Sequence, residues 1–206
     1  MVYKDKDGYY RFKIVLYGPS LSGKTTMLKA FYSKILGLKK GKIRSIEDPS
    51  GRTLYFDYAP LATKGKVIFD VYTVPGQRRH RHQRKVLLKG ADSIIFVADS
   101  DPSALQENVY SIQELKEFLS DQWGVIPIII SLNKRDLEDA LPKSVLVRAL
   151  RIDNSPFPIF QTVAKDGLGV KRVFQEAARL AMLFRLFPKV YKSELESLAR
   201  ETRERP

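Results

Sequence analysis

The chain has 206 residues, with 36 Lys and Arg against 23 Asp and Glu and a formal net charge of +13. That length suits one domain with its own core. The absence of cysteine excludes a disulfide framework, a thiolate metal site, a cysteine nucleophile and prenyl or palmitoyl anchors. The positive field favours polyanionic partners: nucleotide, nucleic acid or an anionic membrane surface.

No apolar run reaches membrane-span length, and the first seven residues do not form a signal peptide. Val2 stands where myristoylation needs glycine. A cytoplasmic location is expected, with at most a peripheral membrane contact.

Along the chain, the apolar run 13–17 predicts a buried strand. It is followed by Gly18-Pro-Ser-Leu-Ser-Gly23-Lys24-Thr25 and then an amphipathic helix over 24–36, with Met27, Leu28, Phe31 and Ile35 on one face. A polar loop, 37–52, leads to strands 53–59 and 66–72, separated by a short turn at 60–65 that predicts an antiparallel hairpin. The basic run 78–85 (Arg78, Arg79, His80, Arg81, His82, Arg84 and Lys85) precedes a buried strand at 93–98. A helix over 104–122 directs Val109, Ile112, Leu115, Phe118 and Leu119 inward. Strand 125–132, helix 143–150, strand 158–162 and helix 170–187 complete the alternation.

This order predicts an α/β fold: a mostly parallel, roughly six-stranded sheet with one antiparallel edge hairpin and helices on both faces. Residues 1–188 form the domain. Pro188 ends its last helix, and 189–206 are a charged extension. There Ser193 and Glu196 predict a capping box for a short helix with Leu195 and Leu198 as its apolar positions, read as solvated in preference to docked on the domain, a partner or a membrane.

The pattern G-x-x-x-x-G-K-[ST] between strand and helix is a phosphate-binding loop. Its glycines let backbone N–H groups turn around a di- or triphosphate at the helix N-terminus. Lys24 sets a charge against the β- and γ-phosphates, and the Thr25 hydroxyl ligates Mg²⁺. Asn133-Lys134-Arg135-Asp136 follows another buried strand. Guanine presents two donors, N1–H and the exocyclic amine, which one carboxylate can accept together, whereas adenine cannot match that pattern. Asp136 is therefore assigned to the base, Lys134 to the base plane and Asn133 to a tie between the two loops. The loops 18–25, 73–77, 133–136 and 163–165 all fall at the carboxyl ends of strands, where such sheets bind ligands.

The segments 18–26, 52–57, 72–77, 96–100, 133–137 and 162–165 together resemble the Ras-like small GTPases, and within them the MglA-like branch of bacteria and archaea. The resemblance spans about 13–186. It implies a molecular switch that binds GDP and GTP with Mg²⁺, hydrolyses GTP slowly, and selects partners by rearranging 37–57 and 73–85. By residue, it implies nucleotide contacts from Gly18, Ser20, Leu21, Ser22, Gly23, Lys24, Thr25, Thr26, Thr53, Gly76, Asn133, Lys134, Asp136, Val163, Ala164 and Lys165, with Thr25 and Thr53 on the metal. Gln77 would orient the attacking water, and Arg52 would act as an arginine finger in cis beside Lys24. A supplied arginine is worth about 10³–10⁵ in rate. A Roadblock-type homodimer is the implied regulator.

Two positions depart from the family's patterns, Thr73 from most Ras-like proteins and Ser20 from the glycine of the MglA-like branch. Thr73 replaces the aspartate that holds a Mg²⁺-bound water, and Asp70 does not substitute for it, because three residues along a strand reverse the face. Ser20 adds a side chain near the γ-phosphate. These departures keep open a non-hydrolysing guanine-nucleotide scaffold, and the charge keeps open a nucleic-acid-binding module. The run 78–85 reads as a solvated helix face or as a switch-gated patch for an acidic partner or anionic lipid.

Overall fold

The structure, a computed structural model, describes residues 4–34, 39–40, 57–63 and 66–203. Arg52 and Thr53, with the rest of 41–56, lie outside the described residues, as does Ile35.

The elements run β1 (Tyr10–Tyr17), α1 (Lys24–Lys34), β2 (Lys39–Lys40), β3 (Tyr58–Ala62), β4 (Val67–Thr73), α2 (Arg81–Leu88), β5 (Ser93–Asp99), α3 (Leu105–Leu119), β6 (Ile128–Asn133), α4 (Lys143–Ala149), β7 (Ile159–Gln161), α5 (Val170–Leu186) and α6 (Pro188–Arg203). The sheet order is β2-β3-β4-β1-β5-β6-β7. Strands β4, β1, β5, β6 and β7 are parallel. β3 pairs antiparallel with β4, and the two-residue β2 joins antiparallel at the edge. The mostly parallel sheet with its edge hairpin is the one expected.

Central strands buried on both faces must be apolar, and β1 meets that condition from Ile14 to Tyr17. Phe12, Ile14 and Leu16 face one core with Met27, Leu28 and Phe31 of α1 and with Val173, Phe174 and Ala177 of α5. The rings of Phe31 and Phe174 stack 3.8 Å apart there. Val15 and Tyr17 face the second core, with Leu88 of α2, Ile112, Leu115 and Leu119 of α3, and Leu146 of α4. Val109 and Phe118, expected inward, are only half-buried.

Two expectations are corrected. The hairpin strand runs over 58–62 rather than stopping at 59, with Pro60 inside it opposite Asp70. Among the described residues β2 pairs only with Leu61 and Ala62, and Pro60, which has no N–H to donate, is left without a partner on that side.

The terminal helix begins at Pro188, a favourable first helical position, so Ser193 and Glu196 lie in its interior and form no capping box. Nor is that helix merely solvated. Tyr191 is buried, stacks edge-on against Phe184 of α5 at 5.3 Å, and donates its hydroxyl to the Val125 carbonyl at 2.8 Å. Arg179 of α5 pairs with Glu194. Among the described residues no helix is long and apolar enough to cross a membrane.

Candidate functional site

The loop between β1 and α1 opens the site. The Lys24 side chain is buried and donates to the carbonyls of Gly18 (3.0 Å) and Pro19 (2.5 Å) of its own loop. Burial, and then the nearby charge of Arg84, lower its pKa to about 7, although Asp57 and Asp99 pull the other way. An ammonium held by carbonyls, with no ion pair among the described residues, suits an anion such as phosphate. Gly23 has φ +95°, and a Cβ there would stand 2.3 Å from Nδ2 of Asn133. That close approach explains why only glycine fits.

Asn133, the last residue of β6, joins the loops as assigned. Its amide donates to the Ser22 carbonyl at 2.8 Å, and its Oδ1 accepts from the Thr162 hydroxyl at 3.0 Å and from the Ala164 N–H at 2.9 Å. One side chain thus fixes the phosphate loop, the 133–136 loop and the 162–165 loop relative to one another. Beyond it, Lys134 (φ +62°) pairs with the buried Asp99 at 2.6 Å, and Lys165 pairs with Asp136 at 2.5 Å. The Lys165 hydrogen bond holds the Asp136 carboxyl below the usual range, so it is an ionised acceptor. Val163 and Ala164 are buried, and Leu21 and Thr26 are exposed at the mouth.

The sequence reading missed Asp57. This residue precedes β3, is fully buried, and lies across the hairpin from Thr73. Its Oδ2 accepts from the hydroxyls of Thr25 and Thr73, each at 2.6 Å, while its own N–H donates to Thr73 Oγ1 at 2.9 Å. Among the described residues its Oδ1 is buried without a hydrogen-bond partner. A buried carboxylate with a bare oxygen beside the Thr25 hydroxyl is an anionic acceptor suited to a hydrated cation, and the charge that Thr73 lacks returns from the neighbouring strand. Asp70 does lie elsewhere: it pairs with Arg11 and accepts from the Tyr58 hydroxyl.

The loop after β4 completes the rim. Gly76 packs directly on the phosphate loop, so that a Cβ there would lie 2.4 Å from both Cα and N of Ser20. Gln77 follows, leading into a single 3₁₀ turn and α2. Within the basic run, Arg78 and Arg81 pair with Glu107 and Glu117 of α3 and lie over the rings of Tyr110 and Phe118. Arg84 is buried, whereas Arg79, His82 and Lys85 are exposed. Part of the run is therefore neutralised against α3 rather than presented as one patch.

The described residues thus bring together the 18–25 loop, the buried Asp57 carboxylate and the Asp136 carboxylate, all at one end of the sheet. Residues 3–179 match the model of the ADP-ribosylation factor family. The chain is 40% identical over 177 residues to the mutual gliding-motility protein MglA of Myxococcus xanthus, covering 82% of this chain and 90% of that protein. It is 25% identical over 171 residues to the Ras-related protein Rab-9A of Rattus norvegicus, covering 82% and 81% respectively. In fold it is similar to the Arl6 small GTPase of Trypanosoma brucei with bound GppNp, with a TM-score of 0.62 at 22% identity, covering 83% of this chain and 97% of that one. The chain belongs to the ADP-ribosylation factor family and is a Ras-like small GTPase of the MglA-like kind, a GTP-binding switch that hydrolyses GTP.

Proposed function

We propose that this GTPase is a magnesium-dependent switch whose site works as follows. The observation that carries the reading is the convergence of Asp57 on Thr25 at the end of a loop that Asn133, three residues before Asp136, ties to the 133–136 loop. Gly18, Ser20, Leu21, Ser22, Gly23 and Thr26 wrap the phosphates with backbone donors. Lys24 leaves the carbonyls of its loop for the β- and γ-phosphates. Thr25 and Thr53 would hold Mg²⁺ directly, and Asp57 would hold it through water. The Thr25 hydroxyl already donates to Asp57, which directs its lone pairs away from that carboxylate and leaves them for the cation. When bound, the metal would supply positive charge against the charge that develops on the transferring group.

Asp136 exchanges its ammonium partner for the two guanine donors, with Lys134, Val163, Ala164 and Lys165 around the base. The Gly76 N–H contacts the terminal phosphate, Gln77 orients the attacking water, and Arg52 supplies positive charge to the transferring group. Hydrolysis lacking an engaged arginine runs at about 10⁻⁴–10⁻³ s⁻¹. A Roadblock-type homodimer is the regulator consistent with the resemblance, and the exposed Arg79, His82 and Lys85 suit an acidic partner or anionic surface. A cytoplasmic setting goes with this reading.

The test combines nucleotide competition with single-turnover hydrolysis. GTP should displace a fluorescent GDP analogue where ATP does not, and Gln77→Leu and Arg52→Ala should each slow product formation at least tenfold. Equal displacement by ATP, or product no faster than the buffer control, refutes the reading.

A further inference from the structure

Arg84 of α2 is the buried member of the basic run, 2% exposed, and the proposed site leaves it without a task. Its five N–H donors meet acceptors on two sides. Nε and Nη2 bind the Glu114 carboxylate of α3 in a fork, at 2.6 and 2.9 Å. Nη1 donates to the carbonyls of Pro75 (3.1 Å) and Gln77 (2.5 Å), and Nη2 also reaches the Arg78 carbonyl at 3.4 Å. Glu114 in turn accepts from the hydroxyl of Tyr17, the last residue of β1 and the neighbour of Gly18. A continuous polar chain therefore runs from the entry of the phosphate loop, through Glu114 and Arg84, to the backbone on both sides of Gly76 and Gln77.

We infer that Arg84 is a positioning residue for GTP hydrolysis, holding the Gly76–Gln77 backbone in its phosphate-facing orientation. The inference rests on the proposed roles of Gly76 and Gln77. A peptide unit is planar and trans, so the Pro75 carbonyl and the Gly76 N–H point in opposite directions. Holding that carbonyl on Arg84 turns the N–H away from α2, toward the side where Gly76 packs on Pro19 and Ser20. The Gln77 carbonyl fixes the next-but-one peptide in the same way, so the backbone that carries the Gln77 side chain is held at both ends. A planar guanidinium suits this task because it offers donors in fixed directions to a carboxylate and to carbonyls at once, whereas lysine offers three donors from one point. Burying a charge pair is costly, and a hydrophobic pair of the same volume would staple α2 to α3 without that cost. What such a pair could not do is bind the loop carbonyls.

The test is a double-mutant cycle on the full chain, using single-turnover GTP hydrolysis and GDP dissociation. Arg84→Met should slow hydrolysis about tenfold to a hundredfold, since small misplacements of reacting groups cost this much, while GDP dissociation stays within threefold. In a Gln77→Leu background the same substitution should cost less than threefold, because the group it positions is gone. A role confined to stapling the fold would slow both backgrounds equally or release GDP, and either result overturns the inference. So does a wild-type rate in Arg84→Met when Gln77→Leu is slow. Gln77→Leu hydrolysing like the wild type would instead refute the proposed catalytic role of Gln77, and the inference with it. If Arg84→Met does not fold, Arg84→Lys decides the matter: at least a fivefold slower rate with GDP retained supports the inference, and an unchanged rate overturns it.

Discussion

Replacing Asp57 by Asn isolates the charge that the hairpin delivers to the cation position. The amide oxygen can still accept from the Thr25 and Thr73 hydroxyls, so the hydrogen bonds at 2.6 Å keep an acceptor and the shape is preserved. What disappears is the negative charge and the bare Oδ1. A hydrogen bond to a charged group contributes about 1.5–3 kcal/mol against about 1 for a neutral one. Allowing for the attraction of a dication as well, the loss is about 1.5–3 kcal/mol in magnesium-linked affinity, or roughly 10–150-fold. Dissociation of a fluorescent GDP analogue, followed across a titration of free Mg²⁺, measures this directly. The magnesium concentration giving half-maximal retention should rise at least tenfold in Asp57→Asn, and the two proteins should release nucleotide at similar rates in EDTA. An unchanged magnesium midpoint in a folded variant, with Thr25→Ala shifted in the same assay, refutes the assignment.

Three further outcomes follow from the same structure. Asp136→Asn trades an acceptor for a donor, so GDP affinity should fall at least a hundredfold while binding of xanthosine diphosphate, whose C2 carbonyl accepts, improves; competition titrations with both nucleotides check it. Tyr191→Ala empties a buried site and frees α6, costing about 3–4 kcal/mol, or about 6–16 °C in Tm at this chain length, whereas Tyr191→Phe loses only the Val125 hydrogen bond, about 1 kcal/mol; thermal melts distinguish them. Burial pushes the Glu114 carboxyl up, but the hydrogen bonds from Arg84 and Tyr17 outweigh it and leave its pKa lowered. Its contribution to stability is therefore full above about pH 4.5 and is lost as pH falls through the folded-state value, so the stability gap between wild type and Glu114→Gln in urea melts should shrink on going from pH 7 to pH 4.

The parallel half of the sheet and the two end loops were legible because period and motif agree there. The run ahead of Gly18 is apolar on both faces, Asn133 follows a continuous buried strand, and the glycines mark close approaches. Asp57 was hidden by register. A hairpin closed over 60–65 sets residue 52 opposite Thr73, whereas the actual pairing of Tyr58 with Tyr72 sets Asp57 there. The proline at 60 reads as a turn, and local pattern cannot reveal that β3 continues through it to Ala62. The docking of α6 was missed for a related reason. Its apolar contact comes from Tyr191, which the charged neighbours obscured, and its anchor is a carbonyl 66 residues away. Arg84 looked like one more cation in a solvated run. Only the tertiary arrangement distinguishes the arginine facing Glu114 from those facing water.

The ion pair between Lys165 and Asp136 has a consequence for how quickly a purine enters. Its lysine end is 65% exposed, so the pair is a weak latch that dissolved salt loosens. The same ions screen the long-range pull of a +13 chain on an anionic nucleotide. Association should therefore slow less steeply with rising ionic strength than the overall charge alone dictates, because the door eases as the attraction fades.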